Sequence, residues 1–258
     1  MIFYFSACGN SRFVAEELAR LNNENIEQID PYEQNPVCNL RDENESLGIV
    51  CPIYAWAVPR FIDRFVRCFD INIPPRYCYL VCTCGDAVGR APERFAKAVK
   101  SLHLSLDAAF SLVMPETYIN LKGFNLDTPE NERRKIEAVR QQLPVLAERI
   151  RRCEKTYDVV RGKMPWFNTY VVNPLFYKFL ITDRKFHATD ACISCYRCVD
   201  VCPLVNITFE DGRPHWHGNC LNCMACYHHC PQNAIQFGKA TYGKGQYTFH
   251  LNDYNVIS

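Results

Sequence analysis

The chain has 258 residues, of which 48% are hydrophobic and 22% charged, and its formal net charge is +1. This composition is typical of a globular protein and excludes a disordered or fibrous chain. The length suits one ordinary domain and a smaller second one, because cores tend to divide near this size. There is no large basic cluster, so we expect no nucleic-acid binding.

The sixteen cysteines raise the question of the redox compartment. The N-terminal sequence MIFYFSACGNSRF lacks a basic segment, and its apolar stretch ends after about five residues, which is too short for a signal peptide. The most apolar later stretch, residues 166–181, contains polar interruptions, whereas a membrane span needs about 20 mostly apolar residues. We therefore expect a cytoplasmic protein without a membrane span, in which metal binding explains the cysteines better than disulfides do.

The first 160 residues alternate apolar runs with helical patterns. Strands alternating with helices form a parallel sheet covered on both faces. We predict a doubly wound α/β domain with a five-stranded parallel sheet over residues 1–160. The predicted strands cover residues 2–5, 25–30, 47–53, 77–82 and 108–114, and the predicted helices cover residues 13–21, 60–69, 92–102 and 129–155.

Three loops of this domain each follow a predicted strand and are candidates for ligand binding. Backbone N–H groups of the first loop and the following helix dipole suit a phosphate dianion, although Ser11 could simply cap the helix. The second loop places two aromatics where open α/β sheets bind ligands, although they could instead pack against the second domain. The candidate residues are Ser6, Ala7, Cys8, Gly9, Asn10 and Ser11 in the first loop, Tyr54, Ala55 and Trp56 in the second, and Thr83, Gly85 and Asp86 in the third.

The C-terminal part, residues 187–258, is predicted to be a second domain with a tail, joined by an aromatic-rich linker that packs, residues 161–186. Here CISCYRCVDVCPLVNI aligns with CLNCMACYHHCPQNAI, and each half has the spacing C-x-x-C-x-x-C-x-x-x-C-P. Soft thiolates favour iron–sulfur, zinc or copper(I), but structural zinc usually uses two separated pairs. The neighbouring His228 and His229 are expected near the metal ligands and not on the metal.

The two cysteine runs closely resemble those of bacterial-type ferredoxins with two [4Fe–4S] clusters, over about residues 190–238. The resemblance implies a small α+β domain in which each run gives three ligands to one cluster and its fourth cysteine to the other. One cluster would bind Cys192, Cys195, Cys198 and Cys230, and the other would bind Cys202, Cys220, Cys223 and Cys226.

The loop at residues 6–11 resembles the phosphate loop of flavodoxins, and the segment at residues 83–86 resembles their third flavin loop. The resemblance implies bound FMN, with Tyr54 and Trp56 flanking the isoalloxazine ring. As a whole, the chain resembles a fused family of anaerobic bacteria and archaea in which a flavodoxin-like domain precedes a two-cluster ferredoxin domain.

Such a chain is expected to transfer electrons between redox partner proteins, because FMN exchanges one or two electrons and a cubane exchanges one. No residue is assigned as a catalytic acid, base or nucleophile. Two alternatives stay open. The chain could be an FMN-dependent reductase with its own small substrate, or a ferredoxin module beside a flavodoxin-like domain that binds no flavin and serves for docking.

Overall fold

The computed structural model describes residues 1–249. The last part of the predicted C-terminal tail, residues 250–258, lies outside the described residues. Within residues 1–249, no helix is both long enough and apolar enough to cross a bilayer.

The described part of the chain is a mixed α/β structure. The strands are β1 (Ile2–Tyr4), β2 (Ile26–Gln28), β3 (Val37–Cys38), β4 (Ser46–Pro52), β5 (Asp70–Ile71), β6 (Tyr77–Cys84), β7 (Ala108–Val113), β8 (Tyr157–Asp158), β9 (Phe186–Ala188), β10 (Ile207–Glu210), β11 (Arg213–Trp216) and β12 (Ile235–Phe237). The helices are α1 (Asn10–Asn22), α2 (Arg60–Arg67), α3 (Ala91–Lys100), α4 (Pro129–Arg151), α5 (Pro165–Phe167), α6 (Asn173–Phe179), α7 (Arg197–Asp200) and α8 (Ala225–His228), with a π-helical turn (Asn168–Val172) between α5 and α6.

The central sheet is parallel, with the strand order β2-β1-β4-β6-β7-β8. Its first five strands follow the doubly wound order of the flavodoxin type. Helices α2 and α3 contribute apolar residues to a core on one face of the sheet. Helices α1 and α4 contribute to a second core on the other face. The predicted α/β fold class is confirmed, and the carboxyl ends of the strands bring the three candidate loops to one edge of the sheet.

The sheet has one strand more than the five predicted. Strand β8 pairs in parallel with β7, through Tyr157 opposite Ala109 and Asp158 opposite Phe110. Because β8 has only two residues and an exposed aspartate, it carries no alternating pattern that would reveal a strand.

The predicted linker contains a continuous helical segment, residues 165–179, which we call the linker helix. Its aromatics were expected to pack, and this holds for some of them. Phe176 contacts Tyr118 and Tyr177 contacts Arg60, whereas Trp166 is 56% exposed and Phe179 is 65% exposed. The polar residues Thr169 and Asn173 are instead fully buried. The linker is therefore held to the first domain through polar contacts. The proposed boundaries at residues 160 and 187 stay predictions.

The C-terminal region is a small α+β unit, as predicted. Strands β10 and β11 form one antiparallel pair, and β9 and β12 form another. The sequence repeat is also a backbone repeat, since Ser194 and Asn222 have φ of 55° and 52°, and Tyr196 and Met224 both have φ of 61°. These left-handed residues turn the chain between successive cysteines. The cysteines of the two runs, except Cys195 and Cys223, form part of a small core with Ile207 and Ile235.

Candidate functional site

The N-terminus of α1 offers backbone donors to a large cavity. Gly9 precedes the helix with φ of 97°, no side chain caps the helix, and its first turn has no acidic residue. The first N–H groups of a helix have no partner within the helix. The carbonyl oxygens of Ala7 and Cys8, just before the helix, accept hydrogen bonds from the C-terminal region. The donors are His229 Nε2 at 3.0 Å and the Phe249 N–H at 2.8 Å. This end of α1 is therefore suited to an anion.

The side chains of the first loop mainly order the loop itself. Ser6 Oγ accepts the Gly9 N–H at 3.1 Å, and the hydroxyls of Ser11 and Thr83 lie 2.7 Å apart. The Asn10 amide donates to the Pro115 carbonyl at 3.0 Å. Of the first-loop candidates, Ser6, Ala7, Cys8, Asn10 and Ser11 line the cavity and Gly9 does not.

Gly9 serves the fold at this position. A Cβ there would lie 2.8 Å from the Cβ of Phe249, and its positive φ favours glycine. Burial raises the pKa of the neighbouring Cys8 thiol well above its usual value, so Cys8 contributes a neutral thiol to the cavity.

The second loop forms a tight, strained hairpin. Tyr54 and Ala57 exchange two backbone hydrogen bonds, of 2.9 and 3.2 Å, and the central residues Ala55 and Trp56 have φ of 47° and 60°. Positive φ at both central residues defines a type I′ turn. The left-handed conformation costs about 1–2 kcal/mol at each non-glycine residue. All three predicted residues of this loop line the cavity.

Two buried polar residues of the linker helix hold the strained hairpin. The Asn173 amide donates to the Ala55 carbonyl at 2.9 Å, and the Thr169 hydroxyl donates to the Trp56 carbonyl at 3.0 Å. Gly89 lies beneath them, where a Cβ would stand 2.6 Å from Thr169 Oγ1 and 2.9 Å from the Cβ of Trp56. Strained backbone of this kind persists only where its surroundings determine it, and it is concentrated at functional sites.

The third loop is joined to a fourth loop that the sequence did not reveal, residues 114–118. The Glu116 carboxylate accepts the N–H groups of Thr117 and Tyr118 and lies where a Cβ on Gly85 would be. The buried ammonium of Lys135 bridges the Gly85 carbonyl and Asp127, at 3.3 and 2.7 Å. Thr83, Gly85 and Asp86 all line the cavity. Nothing in the local sequence of the fourth loop distinguishes it from an ordinary connection.

Together these loops enclose a cavity of about 340 Å³, a size typical of small-molecule sites, which measure about 300–1,000 Å³. The rest of the cavity wall was not predicted from the sequence. The linker contributes Val172, Phe176 and Ile181, the stretch after the fourth loop contributes Leu121 and Phe124, and the C-terminal region contributes Leu221, Asn222 and Cys223.

Asn222 brings an unused acceptor to this cavity. Its side chain is 3% exposed, its amide nitrogen donates to the Leu180 carbonyl at 3.3 Å, and its Oδ1 atom has no hydrogen-bond partner. A buried acceptor without a partner costs about 1–3 kcal/mol. Asn222 therefore fits a ligand that presents an N–H or O–H group.

Eight cysteines line two small cavities, four to each, in the grouping that the ferredoxin resemblance implies, and their assignment as cluster ligands stays a prediction. One small cavity is lined by Cys192, Cys195, Cys198 and Cys230, and another by Cys202, Cys220, Cys223 and Cys226. Among the described residues, no three cysteine, histidine or acidic side chains lie close enough to share one metal ion. Each group lines one cavity, and four thiolates are the usual ligand set of a [4Fe–4S] cluster.

Backbone N–H groups point at several of these sulfurs. Asn206, Asn222 and Ala234 donate to the Sγ atoms of Cys202, Cys220 and Cys230, at 3.2–3.3 Å. Burial, and then the neighbouring cysteines, raise the pKa of Cys226 well above its usual value. Burial therefore favours the neutral thiol here, and a thiolate at this position requires a positive centre beside it, because burying an uncompensated charge is costly.

His228 joins the C-terminal region to the fourth loop. Its Nδ1 atom accepts the Tyr247 N–H at 3.2 Å, and its Nε2 atom lies 2.8 Å from the Thr117 carbonyl. These partners require the neutral tautomer with the proton on Nε2. Burial lowers the pKa of His228 to about 4. Both nitrogens are thus used by backbone groups, and the side chain is an interdomain contact near the cysteines.

The fold and the site define a doubly wound α/β domain joined to a cysteine-rich unit. Residues 191–235 match the family model described as a 4Fe-4S dicluster domain, so this segment is a 4Fe–4S ferredoxin-type domain, and it suggests electron transfer. A comparison with curated proteins gives no match.

Among solved structures, the chain is similar to a candidate flavoprotein from Bacteroides uniformis, with 15% identity over 43% of this chain and 88% of that chain. The TM-score is 0.34.

Proposed function

We propose that the chain is an electron-transfer protein that couples FMN to two [4Fe–4S] clusters. The observation that carries the proposal is the position of Cys223. This cysteine lines the cavity of the second cysteine group, and it also lines the large cavity formed by the three loops. Leu221 lines both cavities as well, so Cys223 and Leu221 form the wall between the two candidate cofactor sites.

The cavity has the features that FMN requires. The uncapped N-terminus of α1 suits the phosphate, the aromatic side chains of Tyr54 and Trp56 suit a planar ring, and Asn222 Oδ1 suits an N–H donor. When bound, FMN exchanges one or two electrons, whereas each cluster exchanges one. The chain's own residues hold the cofactors, exclude water and donate hydrogen bonds to the sulfurs, which adjusts the reduction potentials.

The two cysteine groups differ in exposure. Both groups contain buried cysteines, but Cys195 in the first group is exposed and no cysteine of the second group is. The second group adjoins the large cavity and the first group reaches the surface. We therefore expect redox partner proteins to dock beside Cys195.

The test is anaerobic reconstitution with iron, sulfide and FMN, followed by cofactor analysis and stepwise reduction. We expect about eight irons and one FMN per chain, with reduction of one cofactor shifting the potential of the other because they are close. Cys223→Ser removes the proposed cluster ligand that also lines the large cavity. The control, Cys68→Ser, replaces an exposed cysteine outside both groups. Cys223→Ser should lose about half the iron and change the flavin potential, and Cys68→Ser should do neither.

The alternatives give different results. Retention of iron with no bound FMN would support the docking-domain alternative. Steady turnover of a pyridine nucleotide or a quinone by the pure protein would support the reductase. FMN and iron bound in full, with no mutual effect on potentials and no response to Cys223→Ser, would contradict the coupling.

A further inference from the structure

The linker helix has its polar and apolar sides reversed relative to an ordinary helix on a globular surface. Its inward side carries Thr169 and Asn173, which are fully buried. On the opposite side, Phe167 is 43% exposed, Leu175 is 50% exposed and Phe179 is 65% exposed. Further exposed apolar side chains are at the two ends of the helix, namely Met164 at 65%, Trp166 at 56% and Leu180 at 43%. Several large apolar side chains exposed on one short segment mark an interaction surface.

The charged residues of the linker segment itself have one sign. Between Asp158 and Asp183 the sequence has no acidic residue, and its charged residues there are Arg161, Lys163 and Lys178. Lys163 and Lys178 are exposed beside the apolar side chains.

Neighbouring helices add further cations. The Arg60 guanidinium lies 4.1 Å from the ring centre of Tyr177, and Lys97 Nζ lies 5.9 Å from that of Tyr170. Arg94 donates to Asn173 Oδ1 at 2.6 Å. The acidic Glu93 lies near this region and is paired with Arg161 at 2.6 Å. The surroundings of the helix therefore favour an anionic occupant.

We propose that the outward side of the linker helix binds the surface of an anionic lipid bilayer, with the helix lying in the plane of the interface. Helices that do this carry tryptophan, phenylalanine and leucine toward the acyl chains and lysines toward the headgroups. Lysine stems reach past apolar contacts to place their charge in the headgroup layer. An acidic protein would match the cations equally well, but it would leave six dispersed apolar side chains to be covered by one complementary groove.

This orientation has a consequence for the cavity. Val172 and Phe176 of the same helix line the large cavity. Binding to a bilayer would place that wall of the cavity at the lipid surface. The inference rests on the helix alone, so it holds whether or not the cavity binds FMN.

The test is flotation of the full chain with vesicles of phosphatidylcholine alone and of phosphatidylcholine with 30% phosphatidylglycerol (about 3:7 anionic to neutral lipid). We expect binding to the anionic vesicles and a blue shift of tryptophan fluorescence. Lys163→Gln with Lys178→Gln should lower the partition constant about 25-fold, since each lysine near an anionic surface contributes about five-fold. Trp166→Ser with Phe167→Ser and Phe179→Ser should lower it by more than about ten-fold.

The control is Val145→Ser with Tyr242→Ser, which replaces apolar residues of 63% and 54% exposure elsewhere on the surface. This variant should bind vesicles as the unmodified chain does. Because all the replaced residues are exposed, thermal unfolding should be unchanged in every variant.

Three outcomes would overturn the proposal. The unmodified chain could fail to bind anionic vesicles, or the control could lose binding as strongly as the linker variants. Sedimentation without lipid could instead show a dimer that only the aromatic variant abolishes, which would assign the surface to a second copy of the chain.

Discussion

Asn173 tests whether the linker helix stabilises the cavity. The residue is fully buried and makes contacts in two directions. Its amide donates to the carbonyls of Ala55 and Tyr54, at 2.9 and 3.4 Å, and its Oδ1 atom accepts from Arg94 at 2.6 Å. Asn173→Ala removes all of these contacts and leaves the Ala55 carbonyl without this donor.

The size of the effect follows from these contacts. A hydrogen bond to a neutral group contributes about 1 kcal/mol and one to a charged group about 1.5–3 kcal/mol. The strained turn at Ala55 and Trp56 stores about 1–2 kcal/mol per residue. Without the Asn173 contacts, the chain releases this strain when the hairpin opens. We expect the free energy of opening the hairpin to fall by about 2–3 kcal/mol, and amide exchange there to accelerate about 30- to 150-fold.

Hydrogen exchange followed by mass spectrometry measures this opening in peptides that contain residues 53–58. The control is Asn168→Ala on the same helix, where the side chain donates only to the Lys163 carbonyl, at 2.9 Å. That substitution should leave exchange in the hairpin within about three-fold of the unmodified chain. Equal exchange in the two variants would refute the proposed stabilisation of the hairpin by Asn173.

Three further substitutions test other parts of the site. Gly89→Ala should destabilise the protein by about 2–4 kcal/mol in urea unfolding, because it adds a steric conflict to the strain of a positive φ. Gly123→Ala, at φ of 88° with no atom near the added Cβ, should cost only about 1 kcal/mol, and equal costs would contradict the packing argument. Asn222→Ala should weaken FMN binding about ten-fold in a fluorescence titration, because it removes the acceptor in the cavity. Ser194→Ala, at the equivalent position of the first repeat, should leave affinity unchanged, and a matching loss there would point to a general effect on the domain. Cys230→Ser should abolish the spectroscopic signal of the cluster held by the first cysteine run, since Cys230 lines that cavity, and loss of the other signal would show that each run holds its own cluster.

Periodic patterns made much of the fold predictable. Strands β4 and β6 are nearly continuous apolar runs because both faces of a parallel sheet are covered, and each was placed within two residues of its bounds. The repeat in the C-terminal region was recognisable for a different reason. The cysteine spacing repeats, and the repeat reappears as matching left-handed φ values at Ser194 and Asn222.

The remaining parts of the site depend on contacts between distant segments. Thr169 and Asn173 look like ordinary polar residues in an apolar stretch, and only the folded hairpin gives them partners. Glu116 reaches the cavity because Gly85 leaves room for its carboxylate. Neither relation has a local sequence signal, and an apolar run such as residues 166–181 does not reveal which side of a helix faces water.

The contacts between the two regions imply that the proposed flavin site is not complete in the first domain alone. The Ala7 and Cys8 carbonyls of the phosphate loop are bonded by His229 and Phe249, from beyond the linker. Asn222 supplies the unused acceptor, and its N–H donates to Cys220 Sγ at 3.2 Å. Loss of a cluster would free the cysteines that fix Asn222 and would loosen the partners of the loop, since metal ligation and folding are coupled in small metal-binding domains. Damage to the second cluster should therefore weaken FMN binding, and cofactor loss in this chain should begin at the iron–sulfur side.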